Sequence, residues 1–122
     1  MAEQEKIVYV VTHAGEDPER ASLPFVLANA AQAMEVEVVV ALQGCGVYLA
    51  KKGYLDTVLA PGLAPLKDLV KNFLEFGGKL LVCVPCIKSR KIEESDLIEG
   101  AVPTAAAALT QEMLTAQATL VY

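Results

Sequence analysis

Two cysteines stand three positions apart where an apolar run stops, in "LLVCVPCIKSRK" (residues 80–91). Lys88, Arg90 and Lys91 follow Cys86 within five residues. Sulfurs at this spacing can close a disulfide, supply half of a zinc site, accept a sulfur atom, or pack as small apolar groups. Thiols packed in a core need no cationic surround, so the basic residues favour reactive sulfur. Pro85 suits the first turn of a helix, which would put Cys83 at the cap and Cys86 in that turn. Free N–H groups and the helix dipole there favour a thiolate.

The third cysteine, Cys45, lies in the glycine turn "QGCG", and the single histidine, His13, follows another apolar run. Cys45 is either filler in that turn or a participant, and His13 is either a polar loop residue or a helper. Cys83, Cys86, Cys45 and His13 would be acceptable zinc ligands. Structural zinc sites usually present two paired knuckles, however, and this chain has one pair. A nucleotide site has less support, because "GCG" at 44–46 lacks the glycine spacing of the dinucleotide and phosphate loops.

The elements around these residues follow from apolar patterning. "KIVYVVT" (6–12) reads as a buried parallel strand. Asp17 and Pro18 start a helix that runs to about Met34, with Leu23, Leu27, Ala30, Ala31 and Met34 expected inward and Pro24 expected to kink or delay it. "VEVVVAL" (36–42) is a second strand, and "VYLAKKG" (47–53) a short helix closed by Gly53. "APLKDLVKNFLEFGG" (64–78) is an amphipathic helix, and "KLLVCV" (79–84) another buried strand. "ESDLIEG" leads through an extended piece to Pro103, which is expected to open the helix "TAAAALTQEML", before a last strand "TLVY" (119–122). Strands alternating with helices predict one α/β domain over 1–122, a Rossmann-like or flavodoxin-like parallel sheet with helices on both faces. In such sheets reactive groups collect outside the carboxyl ends of the strands, and His13, Cys45, Cys83 and Cys86 all fall on that edge.

Composition narrows the function classes. A net charge of −5 and the absence of Trp argue against nucleic acid, which needs a basic face and stacking platforms. "MAEQEK" lacks the basic start and long apolar stretch of a secretory signal. The most apolar window, "FVLANAAQAMEVEVVVAL", is interrupted by Gln32, Glu35 and Glu37, so no membrane span is expected. A cytoplasmic protein is expected, and three cysteines in a reducing compartment are then reactive, metal-bound or buried rather than a disulfide framework.

The chain resembles the DsrE/DsrF-like family of small sulfur-handling proteins over essentially its whole length. The resemblance rests on "DPERASLPFVLANAAQAMEVEVVV", on "GVYLAKKG", and on "VCVPCIKSRKIEESDLIEGAV", where the family has a strand-end Cys, an Arg-containing turn and a D-L-x-x-G-[AV] segment. It implies an α/β sandwich assembled as trimers or hexamers, in which one cysteine accepts sulfur as a persulfide and hands it on. Cys83 matches that sulfur-carrying position. Cys86 is not a general family position, Lys91 stands where many relatives have Gly, and Cys45 stands where relatives often have a polar residue.

Two functional readings follow, with a third from a non-enzyme class. In the first, Cys83 takes the outer sulfur of a donor persulfide, with Lys88 and Arg90 supporting the anion, and no cofactor is required because sulfur is the cargo. Donor and acceptor proteins are its expected partners. In the second, "CVPC" acts as a dithiol redox pair resembling the C-x-P-C of thioredoxin-type sites, although the motif comes too late in the chain for that fold. The two meet if Cys86 attacks a Cys83 persulfide and releases sulfide. The third is an assembly module whose cysteines are incidental.

Overall fold

The computed structural model describes residues 4–122. Its strands are β1 (Lys6–Val11), β2 (Glu37–Leu42), β3 (Lys79–Cys83), β4 (Ala101–Thr104) and β5 (Ala118–Val121). They form one sheet in the order β4-β3-β2-β1-β5 with every pair parallel. The helices are α1 (Pro18–Ala33), α2 (Leu66–Glu75), α3 (Val84–Ser89) and α4 (Ala106–Leu114). The three central strands are almost unbroken apolar runs because both of their faces are buried. No helix among the described residues is long and apolar enough to cross a membrane.

The order of strands dictates where the helices lie. From β1 to β4 the chain steps across the sheet in one direction, so right-handed crossovers put α1, α2 and α3 on the same face. There Phe25 meets Phe73 edge to face at 5.6 Å, above Tyr9, Val38, Val40 and Leu80. The return from β4 to β5 runs the other way, and the same rule sends α4 to the opposite face. Leu109, with Met113 and Ala116, covers Val8, Val10, Val39, Ala41 and Leu81 there.

Helix α1 differs from expectation in the face it buries. Ala21, Ser22, Pro24, Phe25, Ala28 and Ala31 are inside, whereas Leu27 is 40% and Met34 75% exposed. Of the five residues expected inward only Ala31 is fully buried, with Leu23 half-buried and Ala30 exposed. Small side chains let the helix approach the sheet closely, and one large ring fills the remaining space. The larger aliphatic residues mark the flank. Pro24 neither delays nor breaks the helix, which runs through it from Pro18 to Ala33.

Two boundaries also move. Pro103 lies within β4, an edge strand that tolerates a missing N–H, and α4 begins three residues later. The segment after β2 is a 3-10 turn from Gly44 to Ala50, and Gly53 starts a second one (Tyr54–Thr57) in the left-handed conformation at φ +86.

Candidate functional site

Strand β3 delivers Cys83 to the carboxyl edge of the sheet, where it caps the start of α3. Val84 is therefore the first helical residue, not the last of the strand. Pro85 occupies the first turn, where its missing N–H costs nothing. One turn of helix brings Cys86 back over Cys83, and the two are joined by a disulfide across a Cα separation of 5.2 Å. Both are half-buried.

Next to Cys83 the sheet opens. Cys83 and Thr104 are register partners, but the chain leaves β3 toward one face and β4 toward the other. Adjacent strand ends whose connections diverge create a crevice, the place where open parallel sheets hold ligands. A cavity of about 80 Å³ occupies it. Gln43, Cys83 and Thr104 supply its polar atoms, and Ala41, Leu81, Pro85 and Leu109 are among its apolar walls. None of its lining residues is charged.

The expected cations are placed otherwise. Arg90 ends α3 and donates from Nη1 to the Cys86 carbonyl at 3.2 Å, while Nη2 lies 4.0 Å from Cys45 Sγ. Its guanidinium sits over the Tyr48 ring, 6.0 Å from the centroid, and Tyr48 stacks on Tyr54. Lys88 is exposed on α3. His13 is taken up by Glu16, with Nδ1 and Oε2 2.6 Å apart. Burial pushes the Glu16 carboxyl up, but the Ala14 N–H and His13 outweigh it and hold the group below its ordinary value. Among the described residues no three His, Cys, Asp or Glu side chains converge as a metal-binding group.

The 3-10 turn after β2 completes the arrangement. Gly44, at φ +54, donates its N–H to Cys86 Sγ at 3.4 Å, and Cys45 next to it is exposed with a free thiol. A Cβ on Gly46 would fall on the Val11 carbonyl, so only glycine lets this turn seat against β1. The structure thus gathers Cys83, Cys86, Cys45 and Arg90, leaves Lys88 exposed on α3 and turns His13 to Glu16. Sequence reasoning passed over Thr104, because Pro103 masked the strand that carries it, and over Tyr48, whose only signal was an aromatic ring two residues beyond Gly46.

Comparison with known proteins agrees with this architecture. The chain is 38% identical over 96 residues to the uncharacterized protein MJ0989 of Methanocaldococcus jannaschii, covering 79% of this chain and 81% of that one. It is 33% identical to the uncharacterized protein MK0008 of Methanopyrus kandleri, covering 77% and 74%. The solved structure of the ychN protein from E. coli superposes with a TM-score of 0.82 at 22% identity, covering 98% of this chain and 100% of that one. The structure of MTH1491 from Methanobacterium thermoautotrophicum gives 0.68 at 12%, covering 96% and 99%. The model of the DsrE/DsrF-like family matches residues 5–122, and the chain belongs to that family.

Proposed function

We propose that this protein is a sulfur carrier that holds sulfur as a persulfide on Cys83 and passes it to a partner thiol. The observation that carries the reading is the position of Cys83, at a strand end, lining a small uncharged cavity at the point where the chain's crossovers diverge. Family membership supports the same chemistry.

The Cys83 thiolate attacks the outer sulfur of a donor persulfide. The donor's S–S bond breaks, the donor leaves as a thiolate, and Cys83 becomes the persulfide. An acceptor thiolate then removes the outer sulfur and regenerates Cys83. The apolar walls keep water and stray thiols from the cargo, while Gln43 and Thr104 offer it polar contacts. Partner proteins load and unload it in the cytoplasm, and the carrier is an oligomer.

The Cys83–Cys86 disulfide favours a second outcome at the same site. Cys86 as thiolate attacks the inner sulfur of the Cys83 persulfide, the outer sulfur leaves as hydrosulfide, and the two cysteines are left joined. The sulfane sulfur is reduced and the two thiols are oxidised, so no outside oxidant is needed for this step.

Intact-mass and peptide measurements on the reduced protein, after exposure to a low-molecular-weight persulfide, test both. One added sulfur atom is expected on the peptide containing Cys83, and none in Cys83→Ser. In Cys86→Ser the added sulfur should persist, while the wild type releases sulfide. Normal loading of Cys83→Ser would overturn the assignment.

A further inference from the structure

Cys86 is bonded to one cysteine and hydrogen-bonded to the residue before another. Cys83, bonded to it, lines the cavity. On the other side the Gly44 N–H points at Cys86 Sγ, and the residue after Gly44 is Cys45, the exposed free thiol. Arg90 spans the two segments, with one nitrogen on the Cys86 carbonyl and the other 4.0 Å from Cys45 Sγ. The 3-10 turn that carries Cys45 is pinned on β1 by the close approach at Gly46. Neither sulfide release nor simple transfer uses Cys45. Sulfide release leaves the protein with its carrier sulfur locked in a disulfide that is half-buried.

We propose that Cys45 is the exchange thiol that reopens the site. The Cys45 thiolate attacks Cys86 Sγ, the Cys83–Cys86 bond breaks, a Cys45–Cys86 bond forms, and Cys83 leaves as the thiolate, ready for another sulfur. The number of disulfides is unchanged by this step, so it needs no redox partner. The disulfide has moved from the cavity side to the exposed turn. There an external dithiol reduces it, becoming a disulfide itself and returning Cys45 and Cys86 as thiols. Attack on Cys86 rather than Cys83 is dictated by position, since Gly44 and Arg90 join the Cys45 turn to Cys86.

The proposal rests on the persulfide reading for its purpose but not for its chemistry, so the two fail separately. Cys83→Ser, reduced and then oxidised with limiting diamide as dilute protein, is mapped by mass spectrometry after alkylation. A Cys45–Cys86 link within one chain is expected as the main product. Cys45 and Cys86 both recovered free, or Cys45 found only in links between chains, would overturn the proposal. In parallel, wild type and Cys45→Ser are oxidised to the Cys83–Cys86 form and treated with dithiothreitol, following alkylation of Cys83. Release of Cys83 should be about tenfold slower in Cys45→Ser, because the reductant must then reach the half-buried bond directly. Equal rates would also overturn it. Should Cys83 prove unable to gain sulfur while both results hold, the carrier reading falls and the exchange stands.

Discussion

Cys83 and Thr104 end neighbouring strands in register, yet the chain departs from them to opposite faces of the sheet. That divergence, fixed by the return of the chain from β4 to β5, is the reason a cavity exists beside Cys83. The cysteine does not make its own shelter. Any member of this topology with β4 in place would have the same crevice, and the side chains decide what enters it.

Filling the crevice should therefore silence Cys83 without touching its chemistry. Ala106, at the first position of α4, lines the cavity. Ala106→Leu is expected to slow alkylation of reduced Cys83 by iodoacetamide about tenfold, an access barrier of roughly 1.4 kcal/mol. Cys45 lies outside the cavity and serves as the internal standard, its rate unchanged. Equal slowing of both thiols would point to a global change instead.

Glu112 should make stability depend on pH at both extremes. Its carboxylate reaches Lys6 Nζ and Lys79 Nζ, each at 2.8 Å, and ties α4 to β1 and β3. Hydrogen bonds from Lys6 and then Lys79 hold its pKa below the ordinary 4.5, while the bond to Glu112 raises that of Lys79 above 10.5. A depressed carboxyl contributes above its unfolded value and loses that contribution as pH falls below it. A raised ammonium contributes below its unfolded value and loses it above. Denaturant midpoints should accordingly fall below pH 4.5 and again above 10.5. Glu112→Gln should cost about 2 kcal/mol near neutrality, since Lys6 is left nearly buried without its counter-charge, and should flatten the acid limb. An unchanged acid limb would sink this account.

The strands and the cysteine edge could be read from the sequence because their signals are local. Apolar runs such as "IVYVV" and "EVVVAL" carry no alternative reading at that length, and Cys83 follows one of them directly. Pro103 defeated local reading, because a proline that looks like a helix opener is equally at home on an edge strand, and edge position is a property of the whole sheet. The inward face of α1 was misjudged for a related reason. Leu27 and Met34 are larger than Ala21 and Ala28, but the gap between helix and sheet selects size, not apolarity alone. The contact between Arg90 and Cys45 could not be read locally, since one turn of α3 and the Gly44–Ala50 turn had to be seen together to bring the guanidinium to that sulfur.

Two helix ends offer a stabilising change. After α3, Lys91 N–H bonds to Lys88 O and Ile92 N–H to Ile87 O, and Lys91 takes φ +57. After α1, Glu35 takes φ +64 with the matching bonds to Gln32 O and Ala31 O. This helix stop prefers glycine, because a side chain in the left-handed conformation is strained. Gly77 after α2 obeys the preference. Lys91→Gly and Glu35→Gly should each stabilise the fold by about 0.5–1 kcal/mol, the relieved strain less the extra entropy of glycine. Gly77→Ala, with nothing near the added Cβ, should cost about 1 kcal/mol for the same conformational reason. Thermal or denaturant midpoints moving the other way in this trio would count against it.

The sheet's α4 face is only partly covered, and self-association should complete it. One helix, about 10 Å across, cannot shield five strands that span roughly 19 Å. The uncovered margins carry Val102 beside Leu81 on β4 and Val121 beside Val10 on β5, 49% and 68% exposed, and Leu114 on α4 is 76% exposed. These apolar groups lie on the face that also bears Leu109, one wall of the cavity that Cys83 lines. A neighbouring copy seated there would remove them from water and narrow access to Cys83 in the same step. A heterologous contact closing into a three-fold ring leaves no free margin, which makes a trimer, or two stacked as a hexamer, the expected assembly. Light scattering should therefore give a multiple of the 13.0 kDa chain at micromolar concentration. Val102→Asp together with Leu114→Asp should shift it toward the single chain, with Cys83 alkylated faster in proportion. A single-chain mass for the unmodified protein across the accessible concentration range would remove the neighbour, and the shielding of Cys83 would then rest on α4 alone.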